Sequence, residues 1–252
     1  LKPSLSKTVS RVFHLHNAKP TRELSVMLEG KRLRHDPCPV YLGVTLDRAL
    51  SYKEHLLKTA GKLKTQNNLL SKLVGTTWGA NATTMRSSAL ALCYSVAEYC
   101  APVWSRSAHT HLVDVQLNST MRLITGTLKP TPLPWLPVLA NIEPPELRRK
   151  IAVDRLITKA SVHDDSGLHD EITDPPIYRL SSRHPIRSDM EPIDITTRWR
   201  DAWKSALVVN SDLVCDPAIR QPGFDLPRRQ WCLLNRFRTA QGQCRACLKT
   251  VV

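Results

Sequence analysis

Along residues 8–46, apolar side chains alternate with polar ones, which predicts β-strands. The alternation is most regular at four positions that would give a single strand one apolar face: Val40, Leu42, Val44 and Leu46. Two other alternating runs are separated by Glu29-Gly30, where glycine tolerates the positive φ of a tight hairpin turn. We therefore expect a small antiparallel sheet of three or four strands.

From residue 51 onward, apolar residues recur every three or four positions, which predicts helices. Ser51 would cap the first helix, which would continue to Val74 and end at Gly75. Capping residues, glycines and prolines delimit three more: from Asn81 or Thr83 to Pro102, over about 109–125 before Gly126, and from Pro144 to about 163. The prolines between residues 130 and 137 predict an extended connection.

Residues 164–195 are acidic and punctuated by proline, which predicts a linker. Beyond it, the apolar spacing indicates one helix around Trp199 and Trp203, a pair expected in a core, and another from Leu226 to Arg238. The predicted fold class is α+β. A small antiparallel sheet would occupy residues 1–50, a mainly helical region residues 51–163, and a further helical segment residues 196–252.

The chain carries a net charge of +14, which favours a polyanionic partner, most often nucleic acid and less often an anionic membrane surface. Residues 1–150 hold 21 Lys and Arg against 9 Asp and Glu, a net of +12. On the predicted helix 51–74, Glu54 is the single acidic residue beside five lysines: Lys53, Lys58, Lys62, Lys64 and Lys72. Exposed helix faces normally mix charge signs, so this face is a candidate for phosphate contact; the alternative is an ordinary solvated surface.

The segment Tyr41-Leu42-Gly43-Val44-Thr45-Leu46-Asp47, followed by a lysine-rich helix, resembles the primer-grip strand and the start of the thumb in reverse transcriptases of jockey-like non-LTR retrotransposons. Further segments are similar to that family and follow in its order: Ser6-Lys7-Thr8, Thr76-Thr77-Trp78-Gly79-Ala80, Ala89-Leu90-Ala91-Leu92-Cys93-Tyr94-Ser95, Glu98-Tyr99-Cys100-Ala101-Pro102-Val103-Trp104, Arg122-Leu123-Ile124-Thr125-Gly126, Leu128-Lys129-Pro130-Thr131-Pro132 and Leu233-Leu234-Asn235-Arg236-Phe237-Arg238-Thr239. Residues 1–150 match well, residues 226–247 moderately, and the middle hardly at all. The order of the whole set makes the resemblance specific.

The resemblance implies the C-terminal part of an RNA-directed DNA polymerase, beginning after the catalytic aspartates. Residues 1–50 would be the edge of the palm with its primer grip, and residues 51–163 would be the thumb. Residues 164–195 would be the linker, and residues 196–252 would lead toward a zinc knuckle beyond Val252.

Functional residues follow from the same resemblance. Tyr41, Leu42 and Gly43 would position the 3′ end of the primer, and Gly43 would let the backbone approach a sugar-phosphate closely because it lacks a Cβ. The five lysines of helix 51–74 would bind the RNA/DNA primer–template duplex. Lys7 would be an accessory proton donor to the leaving pyrophosphate, or would order the incoming nucleotide.

Polymerase chemistry of this family requires Mg²⁺ held by clustered carboxylates, including an adjacent aspartate pair in a hairpin. Asp164-Asp165 follows a predicted helix end without a flanking strand, so we interpret it as a solvated turn. We therefore expect the chain alone to be inactive and to hold no cofactor, with Mg²⁺ belonging to the full-length parent. Cys244-x2-Cys247 has zinc-ligand spacing but lacks two further ligands nearby, so no metal site is expected.

Other interpretations remain open from the residues alone. Residues 40–46 also fit an ordinary amphipathic core strand with a glycine bulge. The alternative function is a helical protein-interaction or scaffold module derived from a retrotransposon, without nucleic-acid activity; an active enzyme would require a longer product that restores the palm. Because no signal peptide or long apolar run occurs, we expect an intracellular protein of the nucleus or cytoplasm, with neither a membrane nor a small-molecule substrate as partner.

Overall fold

In the computed structural model, short strands precede residue 46 and helices follow residue 52, which confirms the predicted α+β class. The structure describes residues 4–15, 18–19, 21–75, 77–163, 167–173 and 194–242. Asp164-Asp165, most of the predicted linker and Cys244-x2-Cys247 lie outside the described residues.

In the described part of residues 1–50, two-residue strands form three separate pairs: β1 (Val9–Ser10) with β4 (Arg34–His35), β2 (Met27–Leu28) with β3 (Lys31–Arg32), and β5 (Val40–Tyr41) with β6 (Val44–Thr45). The first pair is parallel and the other two are antiparallel. The expectation of one antiparallel sheet of three or four strands is therefore wrong. The turn predicted at Glu29-Gly30 is confirmed, since these residues have φ values of 50° and 73° and join β2 to β3.

The run from Val40 to Leu46 is a hairpin instead of one continuous strand. Leu42 and Gly43 have φ values of 45° and 81°, as in a two-residue type I′ turn, and Tyr41 pairs with Val44 across them. Because the chain reverses there, alternate positions do not share a face: Leu42 is 72% exposed, whereas Val44 is 5% exposed. Two predictions for residues 40–46 are therefore wrong: the single strand with one apolar face, and the core strand with a glycine bulge.

Helices dominate the described chain after residue 52. Their bounds are α1 (Lys53–Ser71), α2 (Ala82–Ala89), α3 (Ser95–Ala97), α4 (Ala101–Trp104), α5 (His111–Thr125), α6 (Trp135–Ala140), α7 (Pro145–Val162), α8 (His169–Thr173), α9 (Ile195–Ser205) and α10 (Arg228–Arg238). A π-helical turn (Leu90–Tyr94) joins α2 to α3, and a 3₁₀ turn (Ser211–Leu213) follows α9.

Two of the predicted helix boundaries are confirmed by their capping geometry. Asn81 caps α2, because its side-chain oxygen accepts the Thr84 N–H at 2.8 Å. Gly126 ends α5 with a φ of 67°, the left-handed conformation that glycine adopts most easily. The predicted bounds of the helices that became α7 and α10 agree with the structure to within two residues.

The start of α1 differs from the prediction. The residue before this helix is Tyr52, with a φ of 60° and no side-chain cap. The Ser51 hydroxyl oxygen accepts the Lys53 N–H at 3.4 Å, but Ser51 also donates its hydroxyl to the Asp47 carboxylate at 3.1 Å, and the same carboxylate accepts the Ser51 N–H at 2.9 Å. The aspartate therefore holds the turn that leads into α1.

Two prolines lie at the starts of helices, although the sequence predicted a helix end at Pro102 and an extended connection around Pro137. Pro102 lies in the first turn of α4, and Pro137 lies in the first turn of α6. At these positions the N–H that proline lacks has no partner within the helix, so proline costs little. The predicted connection at 130–137 is thus partly helical, and α8 lies within the predicted linker.

The main core lies between α1 and α5, which run side by side in the same direction. Near their first turns, the Ser107 hydroxyl donates to the Ser51 carbonyl at 2.6 Å. Further along, the Asn67 amide donates to the Gln116 carbonyl at 3.0 Å, and its oxygen accepts the Thr120 hydroxyl at 2.7 Å. Apolar residues from α1, α2, the π-helical turn and α5 surround this polar contact: Leu56, Leu63, Leu70, Met85, Cys93, Leu117, Met121 and Ile124.

A second core is built around tryptophans, as predicted for Trp199 and Trp203. Trp135 of α6 meets Trp203 edge to face, with ring centroids 4.9 Å apart. The Trp203 indole donates to the Val214 carbonyl at 3.3 Å, so its one polar group is satisfied.

The last described helix, α10, covers the C-terminal ends of α1 and α5. Arg228 donates to the carbonyls of Leu123 and Ile124, both at 2.7 Å, and its Nε donates to the carbonyl of Gly75 at 3.4 Å. The indole of Trp231 also donates to Ile124, at 3.2 Å. The carbonyls of Leu123 and Ile124 belong to the last turn of α5 and have no partner within that helix, so these bonds complete α5, and the bond to Gly75 attaches the loop after α1.

We expect Gly126→Ala to lower the free energy of unfolding by about 2–4 kcal/mol, as measured by urea denaturation. Its φ of 67° disfavours a side chain, and a Cβ there would stand 2.1 Å from Cys232 Sγ of α10. Gly61→Ala is the matched control. Gly61 lies within α1, where a Cβ would have no other atom within 4 Å, so alanine should stabilise the protein by roughly 0.5–1 kcal/mol. Equal effects of the two substitutions would contradict the packing of α10 on Gly126.

Candidate nucleic-acid interface

The β5–β6 hairpin is attached to the first turns of α1 through Thr45. The Thr45 N–H donates to His55 Nδ1 at 3.4 Å, and Lys58 Nζ donates to the Thr45 hydroxyl at 3.3 Å. Thr45 and its neighbour Val44 are buried, whereas Tyr41 is mostly exposed. One strand of the hairpin is therefore anchored and the other faces solvent.

A second attachment reaches the tip of the hairpin from the segment between α3 and α4. The Tyr99 hydroxyl donates to the Leu42 carbonyl at 2.8 Å. The neighbouring Cys100 raises the pKa of Tyr99, whose hydroxyl is protonated at neutral pH and can donate. The Tyr99 ring also lies against Gly43, where a Cβ would stand 3.0 Å from Cε1 of the ring. The space that a side chain of residue 43 would need is thus occupied by Tyr99.

The three residues predicted to position a primer are brought together at this tip. Tyr41 and Leu42 are 67% and 72% exposed, and Gly43 supplies the second positive φ of the turn. Val40 adds a further exposed apolar side chain. An exposed apolar tip with its backbone held from two sides presents a surface whose shape is defined before any partner binds.

The five predicted lysines, four in α1 and Lys72 directly after it, are all exposed, on the half of the helix opposite its buried residues. From the rotation of an α-helix, they spread over roughly half the circumference in two groups. Lys58, Lys62 and Lys72 form one group, and Lys53 and Lys64 form the other. The lysines therefore give a broad positive surface with two flanks instead of one narrow stripe.

Lys7 is bonded to its own turn and not to this surface. It is exposed in the turn before β1, where its backbone N–H donates to the Ser4 carbonyl at 3.1 Å. β1 pairs with β4, not with the hairpin. Among the described residues, no hydrogen bond or ion pair joins Lys7 to the β5–β6 hairpin or to α1.

His55 is the titratable group of this interface whose charge is most constrained. Burial lowers its pKa, and the nearby charges of Lys62 and Lys58 lower it further. A neutral ring suits the hydrogen bond to the Thr45 N–H, because Nδ1 must then be the acceptor. The hairpin is therefore attached through an uncharged histidine beneath a positively charged surface.

Sequence reasoning missed the roles of Tyr99 and His55. Tyr99 belongs to one of the segments that resemble the retrotransposon family, but nothing in its spacing indicates that it contacts a turn more than fifty residues away. His55 stands among the lysines of α1, and helical periodicity places it on the buried face. That placement was the available signal for His55.

Neither a metal site nor a membrane-spanning helix occurs in the described ranges. There, no group of three or more His, Cys, Asp or Glu side chains is arranged to hold a metal ion. Within the same part of the chain, no helix combines the length and apolar character needed to cross a membrane. Comparison with protein-family models, curated proteins and solved structures finds no match to this chain.

Tyr99→Phe should loosen the tip of the hairpin without unfolding the protein. Loss of one hydrogen bond to the Leu42 carbonyl costs about 1 kcal/mol, which corresponds to about fivefold faster local opening. Hydrogen exchange of the hairpin amides measures this opening. Tyr41→Phe, which removes a hydroxyl from a mostly exposed side chain of the same hairpin, is the control and should leave exchange unchanged.

The pH dependence of stability should show the buried, neutral His55. Its folded pKa lies below the unfolded value of 6.5, so the folded state binds fewer protons. The contribution of His55 to the free energy of unfolding is therefore complete above pH 6.5 and is lost as the pH falls through the lowered pKa of the folded state. Urea denaturation at about pH 7.5 and about pH 5.5 measures the loss. In His55→Gln, which keeps an acceptor but does not titrate, the loss should be smaller; an identical loss would refute this role.

Proposed function

We propose that this chain binds and positions primer–template nucleic acid, as the palm edge and thumb of a retrotransposon RNA-directed DNA polymerase. The observation that carries the proposal is the β5–β6 hairpin, which His55 and Lys58 fix to the N-terminal end of a lysine-bearing helix and Tyr99 holds from the segment between α3 and α4. An exposed, shaped tip and a positive helix surface are thereby held in one rigid arrangement.

The dimensions of α1 suit a nucleic-acid duplex. Its 19 residues give a length of about 28 Å, which spans about four-fifths of one ~34 Å helical turn of duplex DNA. Lysines along it can contact successive phosphates without reading bases, which provides affinity but no sequence preference. A duplex lying along α1 would bring one strand end to the hairpin tip at Tyr41, Leu42 and Gly43.

Within the same proposal, catalysis belongs to a complete polymerase. Mg²⁺ and its carboxylate ligands would be supplied by the palm of the full-length parent, and this chain alone would hold nucleic acid without extending it. Lys7 would approach an incoming nucleotide in that setting only. The proposal draws support from the resemblance and from the positive surface of α1.

A helical protein-interaction module remains the second candidate, and exposed apolar residues favour it. Leu233 and Phe237, one turn apart on α10, are 55% and 68% exposed. Such a pair on a helix surface is a typical contact for another protein. The two candidates differ in their response to salt, because apolar contacts do not weaken as the salt concentration rises.

Binding of an RNA/DNA primer–template duplex should weaken as salt is raised, with log affinity falling linearly with log salt concentration. Filter binding measures the slope. Lys62→Gln/Lys72→Gln should make the slope shallower by about 2, since each phosphate contact contributes about 0.9. Lys159→Gln/Lys204→Gln, which removes the same charge from exposed residues of α7 and α9, is the matched control and should leave the slope unchanged. A flat salt dependence of the unmodified protein would rule out phosphate contact.

A further inference from the structure

Trp78 differs from the other tryptophans of the chain in its surroundings. It is 61% exposed. The other five are at most 5% exposed: Trp104, Trp135, Trp199, Trp203 and Trp231. An indole is among the most costly side chains to leave in water, so an exposed one calls for a partner.

The exposed indole is held in place by the loop after α1. Val74 pairs with Gly79, and the Gly75 N–H donates to the Trp78 carbonyl at 2.9 Å. The indole lies over Gly75 so closely that a Cβ there would stand 2.3 Å from Trp78 Nε1. At Gly79, a Cβ would stand 2.4 Å from the Leu73 carbonyl oxygen. The two glycines therefore make a tight loop with the indole packed flat against it.

The surroundings of this loop are positively charged. Arg228 joins three segments, 69–80, 122–129 and 226–238, by its bonds to the carbonyls of Gly75, Leu123 and Ile124. None of these segments contains an aspartate or glutamate, and together they carry Lys72, Arg122, Lys129, Arg228, Arg229, Arg236 and Arg238.

Some of these positive groups remain available to a ligand. Lys72, Lys129 and Arg229 are exposed, whereas the Nε atoms of Arg122 and Arg236 are buried. A nearby carboxylate, Asp225, is 3.1 Å from Arg220 and accepts the Thr83 hydroxyl. The positive charge around Trp78 is therefore largely uncompensated.

We propose that Trp78 is a stacking platform for an unpaired base of single-stranded nucleic acid, whose phosphates are bound by the basic residues around it. Indole faces stack on any base, and a positive surface holds the backbone that carries the bases. An exposed aromatic ring in mainly basic surroundings fits this ligand better than it fits an apolar protein surface, because the charges would be desolvated with few counter-ions.

This site lies at the other end of α1 from the hairpin. The hairpin contacts His55 and Lys58 near the start of the helix, whereas Trp78 follows its end. The helix is about 28 Å long, so the two sites would contact different parts of one nucleic acid. The inference shares with the proposed function the premise that the chain binds nucleic acid, and the two surfaces share Lys72, which directly follows α1.

Tryptophan fluorescence tests the proposal on the full chain, because the exposed Trp78 contributes the emission that aqueous quenchers reach. An oligothymidylate of about 12 nucleotides, which does not form a duplex with itself, is the probe. We expect it to quench this emission as it binds, and Trp78→Phe should abolish the quenching. Trp78→Ala should weaken binding of the oligonucleotide, followed by fluorescence anisotropy, by about tenfold.

Gly75→Ala provides a second variant that does not remove the indole. Gly75 lacks a positive φ, so alanine fits the backbone and only displaces the Trp78 ring. Binding of oligothymidylate should weaken in this variant while urea denaturation stays close to that of the unmodified protein. Phe237→Ala, which removes another exposed aromatic ring, should bind as the unmodified protein does.

The outcomes separate this site from the α1 surface. If the primer–template duplex binds with the expected salt slope but oligothymidylate leaves the fluorescence unchanged, the stacking platform is wrong and the proposed function stands. If Trp78→Ala binds oligothymidylate as tightly as the unmodified protein, the platform is also wrong. If neither nucleic acid binds, both proposals fail together.

Discussion

Two parallel helices end side by side in this protein, and the guanidinium of Arg228 lies between their ends. The last carbonyls of a helix lack partners within the helix and carry partial negative charge, so two adjacent ends repel each other. Arg228 donates to Gly75 beyond α1 and to Leu123 and Ile124 of α5. Asn235 adds a bond to the Thr125 carbonyl at 2.9 Å. Arg228 and Asn235 therefore connect the end of α5 and the loop after α1 to a helix that follows them by more than a hundred residues.

Once α1 is fixed against α5, the features at both of its ends acquire defined positions. At its start, His55 and Lys58 hold the β5–β6 hairpin, and Tyr99 fixes the hairpin tip from the neighbouring segment. Beyond its end, the loop of Trp78 packs against Gly75, whose carbonyl is bound by Arg228. The helix thus acts as a spacer between an exposed apolar tip and an exposed indole. Its lysines provide the positive surface between them.

Periodicity predicted the helices well because a helix buries one face over many turns, and that face is visible in the sequence as residues three and four apart. It failed in residues 40–46, where the alternation of Val40, Leu42 and Val44 is also what a short hairpin produces. Prolines misled for a related reason, since Pro102 and Pro137 are as acceptable in a first helical turn as after a last one. Among the predicted site residues, exposure of the α1 lysines follows from periodicity. The contact between Tyr99 and Leu42 cannot be predicted from periodicity, because the two residues are far apart in the sequence and meet only in the tertiary structure.

Arginine side chains have two kinds of hydrogen-bond partner in this protein, and the kind of partner decides whether the positive charge is cancelled locally. Arg148 and Arg149 of α7 pair with carboxylates, the first with Glu98 and Glu143 and the second with Asp114, so the charge of both arginines is fully offset. Arg228 and Arg238 instead donate to backbone carbonyls, and burial lowers the pKa of both without removing their charge. Carbonyl dipoles satisfy the hydrogen bonds of a guanidinium but carry no net charge to cancel it. The end of the molecule that these two arginines complete is consequently left positive, and a polyanion is the partner that compensates such a charge.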